Sequence, residues 1–275
     1  MKQVGPSEPL VWRGYRLELM PQKAVWDPQQ RLLLAADLHL GKAECLQAHG
    51  IALPSDGDHS TLDTLLGLAH HLKPQAVVVL GDLIHGRTGL TVELRQKLAA
   101  LPELLGCPLR LIDGNHERGS WLAALRREPS MALGPLWLSH APEPRDDHLN
   151  LCGHLHPVAV VGQGADRLRL PCFALLRGES APAHALASRD AEALPNQPGS
   201  AHAVHCPGDC LVLPAFGHLT GGHPCSEADG VWLVAEGSVL PWRVPARSLP
   251  EPSLGNRTTS PTPTTASPRI RRSRA

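Results

Sequence analysis

Between residues 31 and 152 the chain repeats one pattern, in which a short apolar run is followed by a turn carrying Asp, His or Asn. The runs are Arg31 to Ala36, Ala76 to Leu80, Leu109 to Ile112 and Leu136 to Leu138, with Leu149 to Cys152 a shorter fifth. They are continuous rather than alternating, which predicts strands buried on both faces. Between the first two, Ser60 to Leu72 sets Leu62, Leu65, Leu66 and Ala69 on one helical face behind Ser60 as N-cap. A second helix is predicted over Thr91 to Leu105, with Leu94, Leu98, Leu101 and Leu105 in register and Pro102 expected to kink or end it. Gly119 to Arg127 makes a short third. Ahead of these, Val11 to Asp27 alternates Trp12, Tyr15, Leu17 and Leu19 with polar neighbours, a period of two that predicts a strand or hairpin.

Beyond His156 the helical period disappears. Val158 to Val161, Arg167 to Leu175, Cys210 to Leu213 and Val231 to Val239 read as antiparallel strands of a second sheet packed on the first. Strands alternating with helices and then strands alone predict a layered α/β sandwich with helices outside. Two stretches resist this reading. Residues 181–207 are rich in Ala, Pro, His and Ser without a sustained period, and residues 245–275 are polar and of low complexity. Neither buries enough apolar surface to offset its ordering entropy, so a disordered insertion and a disordered tail are expected around one domain spanning 1–244.

At 275 residues the chain is long enough for one large core. Its formal charge is zero, yet six arginines against the single acid Glu251 follow Pro245, which leaves the rest of the chain at −5. A basic patch strong enough to announce nucleic-acid binding is therefore absent from the body, and the Arg-rich end supplies only a nonspecific, salt-sensitive attraction. Seven scattered cysteines, an odd number, argue for reduced thiols. The first residues lack an apolar signal core, and no stretch approaches the roughly 20 apolar residues that cross a bilayer. A cytoplasmic protein without membrane contact is the expectation.

The turns after the apolar runs carry the chemistry. In order they are D-L-H (Asp37 to His39), G-D (Gly81, Asp82), G-N-H-E (Gly114 to Glu117), S-H (Ser139, His140) and G-H-L-H (Gly153 to His156), expected to emerge along one edge of a sheet. Taken singly, each aspartate reads as a turn former and each histidine as an ordinary core or surface residue; five in sequence point to a two-metal phosphoesterase site. Hydrolysis of a phosphate ester needs a nucleophile at neutral pH and neutralisation of the phosphoryl oxygens, which two divalent ions roughly 3.5–4 Å apart supply by acidifying a bridging water and clamping the phosphoryl group. Asp82, at the end of the central V-V-V-L run, is assigned as the carboxylate reaching both ions. Asp37, His39 and His156 fall to one ion, and Asn115, His140 and His154 to the other. Imidazole and oxygen ligands without thiolate suit Mn²⁺, with Fe²⁺ or Zn²⁺ as alternatives. His116 is left free to protonate the leaving oxygen. Glu117 reads either as the group orienting that ring or as a solvated or capping carboxylate.

This order of motifs resembles the calcineurin-like metallophosphoesterases over about Arg31 to Pro157. The resemblance implies a four-layer α/β/β/α sandwich, a di-metal centre with the ligands above, and His116 as the acid. One departure is that A-P-E-P follows His140 where many members carry Gly. A narrower resemblance rests on D-L-H-L-G-K (Asp37 to Lys42), G-H-L-H-P (Gly153 to Pro157), R-L-R-L-P-C-F (Arg167 to Phe173) and L-V-L-P-A-F-G (Leu211 to Gly217) followed by T-G-G. These look like the bacterial ligase-associated DNA-damage-response endonuclease branch. That branch implies DNA as substrate and an ATP-dependent DNA ligase and a helicase as partners. Neither the stretch 181–207 nor the Arg-rich tail belongs to it. The alternatives are hydrolysis of a small phosphomonoester, nucleotide or phosphoprotein at the same centre, and a non-enzymatic scaffold in a repair assembly.

Lys42, His85, Arg87 and Arg118 lie a few residues beyond ligand segments, in reach of a substrate phosphate or simply solvated. Cys152 reads as packing. His202, His205, Cys206, Cys210, His218, His223 and Cys225 hold enough soft ligands for a separate zinc site. Their C-x3-C spacing fits loosely, and part of the group overlaps a predicted strand.

Overall fold

Apolar runs buried on both faces need a cover on each side, and the computed structural model provides it with two sheets laid face to face. It describes residues 5–54, 56–117, 125–178 and 208–243. The first sheet has the order β1 (Glu8–Trp12), β2 (Tyr15–Leu19), β3 (Val25–Asp27), β4 (Leu32–Ala35), β5 (Ala76–Val79), β6 (Leu109–Ile112) and β7 (Arg127–Glu128). An antiparallel meander of β1 to β4 feeds a parallel half from β4 to β7. Three helices, α1 (Lys42–Ala48), α2 (Gly57–Leu72) and α3 (Val92–Leu105), lie in the crossovers between β4, β5 and β6.

The second sheet contains β8 (Ser130–Leu133), β9 (Leu136–Ser139), β10 (Leu149–Cys152), β11 (Pro157–Val161), β12 (Leu168–Leu176), β13 (Cys210–Val212), β14 (His223–Pro224), β15 (Gly230–Ala235) and β16 (Ser238–Arg243). Its order is β14-β11-β12-β13-β10-β9-β8, with β15 on β12 and β16 on β15. The expected antiparallel pairs are present around β12, while β9, β10 and β13 run parallel. The runs at Leu136 and Leu149 therefore belong to this sheet and not to the first.

The two-residue alternation of a strand decides which layer each side chain joins. Leu32, Leu34, Val78 and Leu80 enter the core between the sheets, with Leu138, Leu151, Phe173, Leu211 and Trp232 from the other side. Leu33, Val77 and Val79 turn outward onto Leu65, Leu68, Leu94, Leu98 and Leu101 of α2 and α3. The α/β sandwich is thus built as anticipated. Among the described residues its helices cover the first sheet, and the outer side of the second is a cluster of Cys152, Cys172, Ala174, Cys210, Val212 and Val231.

Several local expectations need correction. Helix α2 starts at Gly57, so Ser60 lies inside its first turn and does not cap it. Helix α3 runs through Pro102 to Leu105 because its four leucines stay buried in register and Gly106, in a left-handed conformation, ends it. Val231 to Val239 is a hairpin and not one strand, since Glu236 and Gly237 both take positive φ in a two-residue turn. Arg13 and Gly14 do the same between β1 and β2. The helix expected over 119–127 falls largely outside the described residues, and its last residue opens β7. The stretches 181–207 and 245–275 lie outside them as well. No described helix is long and apolar enough to cross a membrane.

Leu65, fully buried between α2 and the first sheet, offers a test of this layer. Leu65→Ala is expected to lower the unfolding free energy by about 2–5 kcal/mol in a denaturant titration, with the opposite edge of the sheet unaffected.

Candidate metal centre

Asp37, Asp82 and Asn115 follow β4, β5 and β6 of the first sheet, whereas His140, His154 and His156 follow β9 and β10 of the second. The five segments therefore meet across the interface of two sheets and do not share one sheet edge. Main-chain pairing continues past the strand ends and holds the first two turns together: Asp37 N–H donates to the Gly81 carbonyl, His39 N–H to that of Asp82, and His85 N–H to that of Leu40. Gly153 sits where a Cβ would fall 2.4 Å from Asp37 Oδ2, and at Gly81, with φ +83°, one would fall 2.2 Å from His140 Nδ1. Only glycine lets these turns approach so closely.

Asp37, His39, Asp82, His154 and His156 all have positive φ, from 44° for His156 to 66° for His154. Five non-glycine residues in the left-handed region at one place are a concentration of backbone strain of the sort found at functional sites. The turns are bent so that side chains converge.

They converge into two adjoining groups. In the first, His156 Nε2 lies 3.4 Å from Asp37 Oδ1 and 3.4 Å from His39 Nε2. In the second, His140 Nε2 lies 3.5 Å from Asp82 Oδ2, 3.1 Å from His154 Nδ1 and 2.9 Å from Asn115 Oδ1. Asp82 Oδ2 is also 3.7 Å from His39 Nε2, so one carboxylate oxygen stands between the groups. Asp37 His39 His156 and Asp82 His140 His154 each have the spacing to hold a metal ion, as does His39 with His85 and His116.

The donor set fits cations. His140 directs Nδ1 to the Leu80 carbonyl at 3.0 Å, so in the neutral ring the Nε2 lone pair faces the carboxylate of Asp82. The A-P-E-P that follows His140 leaves the ring in place. Asp37, Asp82 and Glu117 are buried to 0%, 2% and 1% exposure, and no Lys or Arg among the described residues pairs with their carboxylates. Buried carboxylates facing lone pairs need positive charge among them. Burial above all, with the neighbouring imidazoles and the Lys42 ammonium adding, takes His39 down to about 2, which keeps its ring a neutral donor. Burial likewise lowers His154, with His140 adding. It raises Asp82, where Asp37 adds and His140 opposes.

His116 is partly exposed beside this cluster, with Nε2 3.9 Å from Asp82 Oδ2 and Nδ1 bonded to the His85 carbonyl. That carbonyl, and not Glu117, orients the ring. Glu117 is buried and not solvated, and its carboxylate accepts main-chain N–H groups from Asp82, Ile84 and Gly114. No sequence signal separated this role from an ordinary turn acid. His85 stacks on His116 at 5.0 Å and places Nδ1 3.3 Å from His39 Nδ1. Burial, then the Lys42 charge, lowers it to about 4. Lys42 opens α1 half-buried beside His39 and His85, and Arg87 is exposed in the turn Arg87–Gly89. Arg118 lies outside the described residues.

The second soft-ligand group does not assemble among the described residues. Cys210 meets Cys152 at 3.4 Å and Cys225 meets Cys172 at 3.4 Å, two separate thiol pairs without a third metal-binding group beside them. His202, His205 and Cys206 are outside the described residues.

Residues 30–173 match a family model described as calcineurin-like phosphoesterase. The chain is similar to the nuclease MPE of Pseudomonas putida, whose crystal structure matches with a TM-score of 0.62 and 29% identity over 86% of this chain and 100% of that one. It is also similar to Yfce, a phosphoesterase from E. coli, with a TM-score of 0.32 and 19% identity over 48% of this chain and 74% of that one. No curated protein matches the chain significantly.

Proposed function

Since this chain belongs to the calcineurin-like phosphoesterases and is a metal-dependent hydrolase, we propose that it cleaves phosphodiester bonds of DNA with two divalent cations, Mn²⁺ in the first place and Fe²⁺ or Zn²⁺ as alternatives. The carrying observation is the position of Asp82 Oδ2, within 3.7 Å of His39 and 3.5 Å of His140, between two groups that each have metal-binding spacing. Asp37, His39 and His156 would hold one ion, Asn115, His140 and His154 the other, and Asp82 both. When bound, such ions neutralise phosphoryl oxygens and supply a water nucleophile at neutral pH. The chain's own groups do the rest. His116, held at Nδ1 by the His85 carbonyl, presents Nε2 to protonate the leaving oxygen. Lys42 and His85 flank the site as phosphate contacts, with Arg87 and Arg118 proposed alongside them.

DNA is favoured because the nuclease from Pseudomonas putida is matched over its whole length, and this agrees with the motifs shared with the ligase-associated branch. We extend the proposal to a repair role in the cytoplasm alongside an ATP-dependent DNA ligase and a helicase. The six described cysteines are free thiols, as a reducing compartment requires. The test is purified protein with Mn²⁺ on an aryl phosphodiester, an aryl phosphomonoester, and single- and double-stranded DNA in parallel. Cleavage of the diester and of DNA with little monoesterase activity is expected; a monoester preference would move the substrate to a small phosphate ester or phosphoprotein.

A further inference from the structure

We infer that Glu117 is a positioning residue of the metal centre, whose carboxylate locks the loops after β5 and β6 together and so fixes where Asp82 and Asn115 present their oxygens. The inference rests on the two-cation reading above. Glu117 Oε2 accepts the main-chain N–H of Asp82 at 2.8 Å and of Gly114 at 2.9 Å, while Oε1 accepts that of Ile84 at 3.3 Å. One side chain thereby joins two loops that are 35 residues apart at Asp82. The Asp82 carboxylate is then steadied by the His116 N–H on Oδ1 at 3.0 Å, which leaves Oδ2 turned toward His39 and His140.

The charge on Glu117 is hard to explain by folding alone. Its carboxylate is buried, and its neighbouring charge is Asp82, of like sign. Arg127 holds the same loop, yet it donates to the Glu117 main-chain carbonyl at 2.6 Å and pairs with Asp113 at 3.1 Å, not with the Glu117 carboxylate. Among the described residues no cation pairs with this carboxylate, and a buried acid so placed is costly. A site that takes up divalent cations supplies the missing counter-charge, and three amide donors converging on one group need the four lone pairs of a carboxylate.

The test uses the full chain and Mn²⁺ alone, read by calorimetry and by electron paramagnetic resonance. Wild type is expected to bind two ions with a spin-coupled spectrum. Glu117→Gln puts an NH₂ donor against a main-chain donor; it should fold by circular dichroism, bind Mn²⁺ roughly 10–100-fold more weakly, and show an uncoupled spectrum. Leu65→Ala, destabilised in the helical layer, should keep both ions and the coupling. Wild-type affinity and coupling in Glu117→Gln, or an equal loss in Leu65→Ala, would overturn the positioning role. Should Glu117→Gln fail to fold, hydrogen exchange on wild type decides: protected amides at Asp82, Ile84 and Gly114 support the clamp, and exchange at exposed-loop rates refutes it. Uptake of fewer than two ions by wild type is a different failure, that of the two-cation reading itself.

Discussion

Asp82→Asn is expected to abolish paired metal uptake and to lower phosphodiester hydrolysis on the order of 10³-fold or more, while the metal-free protein stays folded and resists unfolding at least as well as wild type. The asparagine keeps an oxygen for the His116 N–H, which bonds Asp82 Oδ1 at 3.0 Å, so the loop geometry survives. What disappears is the negative charge shared between the groups of His39 and His140. Burial raises the Asp82 pKa, and the Asp37 charge adds to it. His140 opposes the shift without reversing it, so the folded metal-free chain holds this proton more tightly than the unfolded chain does. Stability from this group is present at low pH and is lost as pH rises through the raised pKa, so a neutral amide removes a penalty felt near neutrality. Thermal unfolding with and without Mn²⁺ separates the two effects. Wild type should gain about 2.7 kcal/mol at a metal concentration a hundred times Kd; the variant should gain nothing. Retained activity with wild-type metal uptake would remove Asp82 from the bridging role and end this reading of the site.

The candidate site was more legible in the sequence than the fold that carries it. Motif glycines and ligand-type residues sit in the turns themselves, so the chemistry is written in consecutive letters. Gly81 precedes Asp82 and Gly153 precedes His154 because a Cβ at either would strike His140 or Asp37. Sheet membership is not written that way. A strand buried on both faces has the same apolar run whichever sheet it joins, so Leu136 to Leu138 and Leu149 to Cys152 read like the runs of the first sheet although, in the second, the former pairs with the latter and the latter with β13. Helix α1 has seven residues, K-A-E-C-L-Q-A, too few turns for a period to show. In V-W-L-V-A-E-G-S-V-L the turn at Glu236 and Gly237 is hidden inside an apolar stretch, because a two-residue hairpin loop interrupts the pattern for only two positions. Glu117 was misread for another reason. A carboxylate after G-N-H reaches solvent, a ring or a main-chain amide equally well on paper, and only the approach of the Asp82 and Gly114 amides decides among them.

His116→Ala is expected to keep both cations and the fold while reducing turnover about 10²–10⁴-fold on DNA. The ring has a polar partner on each side and a distinct task for each nitrogen. Nδ1 is committed to the His85 carbonyl, and Nε2 turns toward the centre, 3.9 Å from Asp82 Oδ2. It is partly exposed, unlike the buried rings of His39 and His140, so a substrate oxygen has access to it. A group that donates a proton to the leaving oxygen matters in proportion to how badly that oxygen needs one. The loss should therefore be large for a DNA alkoxide and small for an activated aryl diester whose phenolate leaves unaided. Added imidazole should restore part of the rate on DNA. The His85 side chain serves as the control: its main-chain carbonyl holds His116, so His85→Ala should leave the leaving-group dependence unchanged even where substrate affinity falls. Equal losses on both esters, or loss of a cation in the His116 variant, would show that this residue acts on the metal centre and not on the departing oxygen.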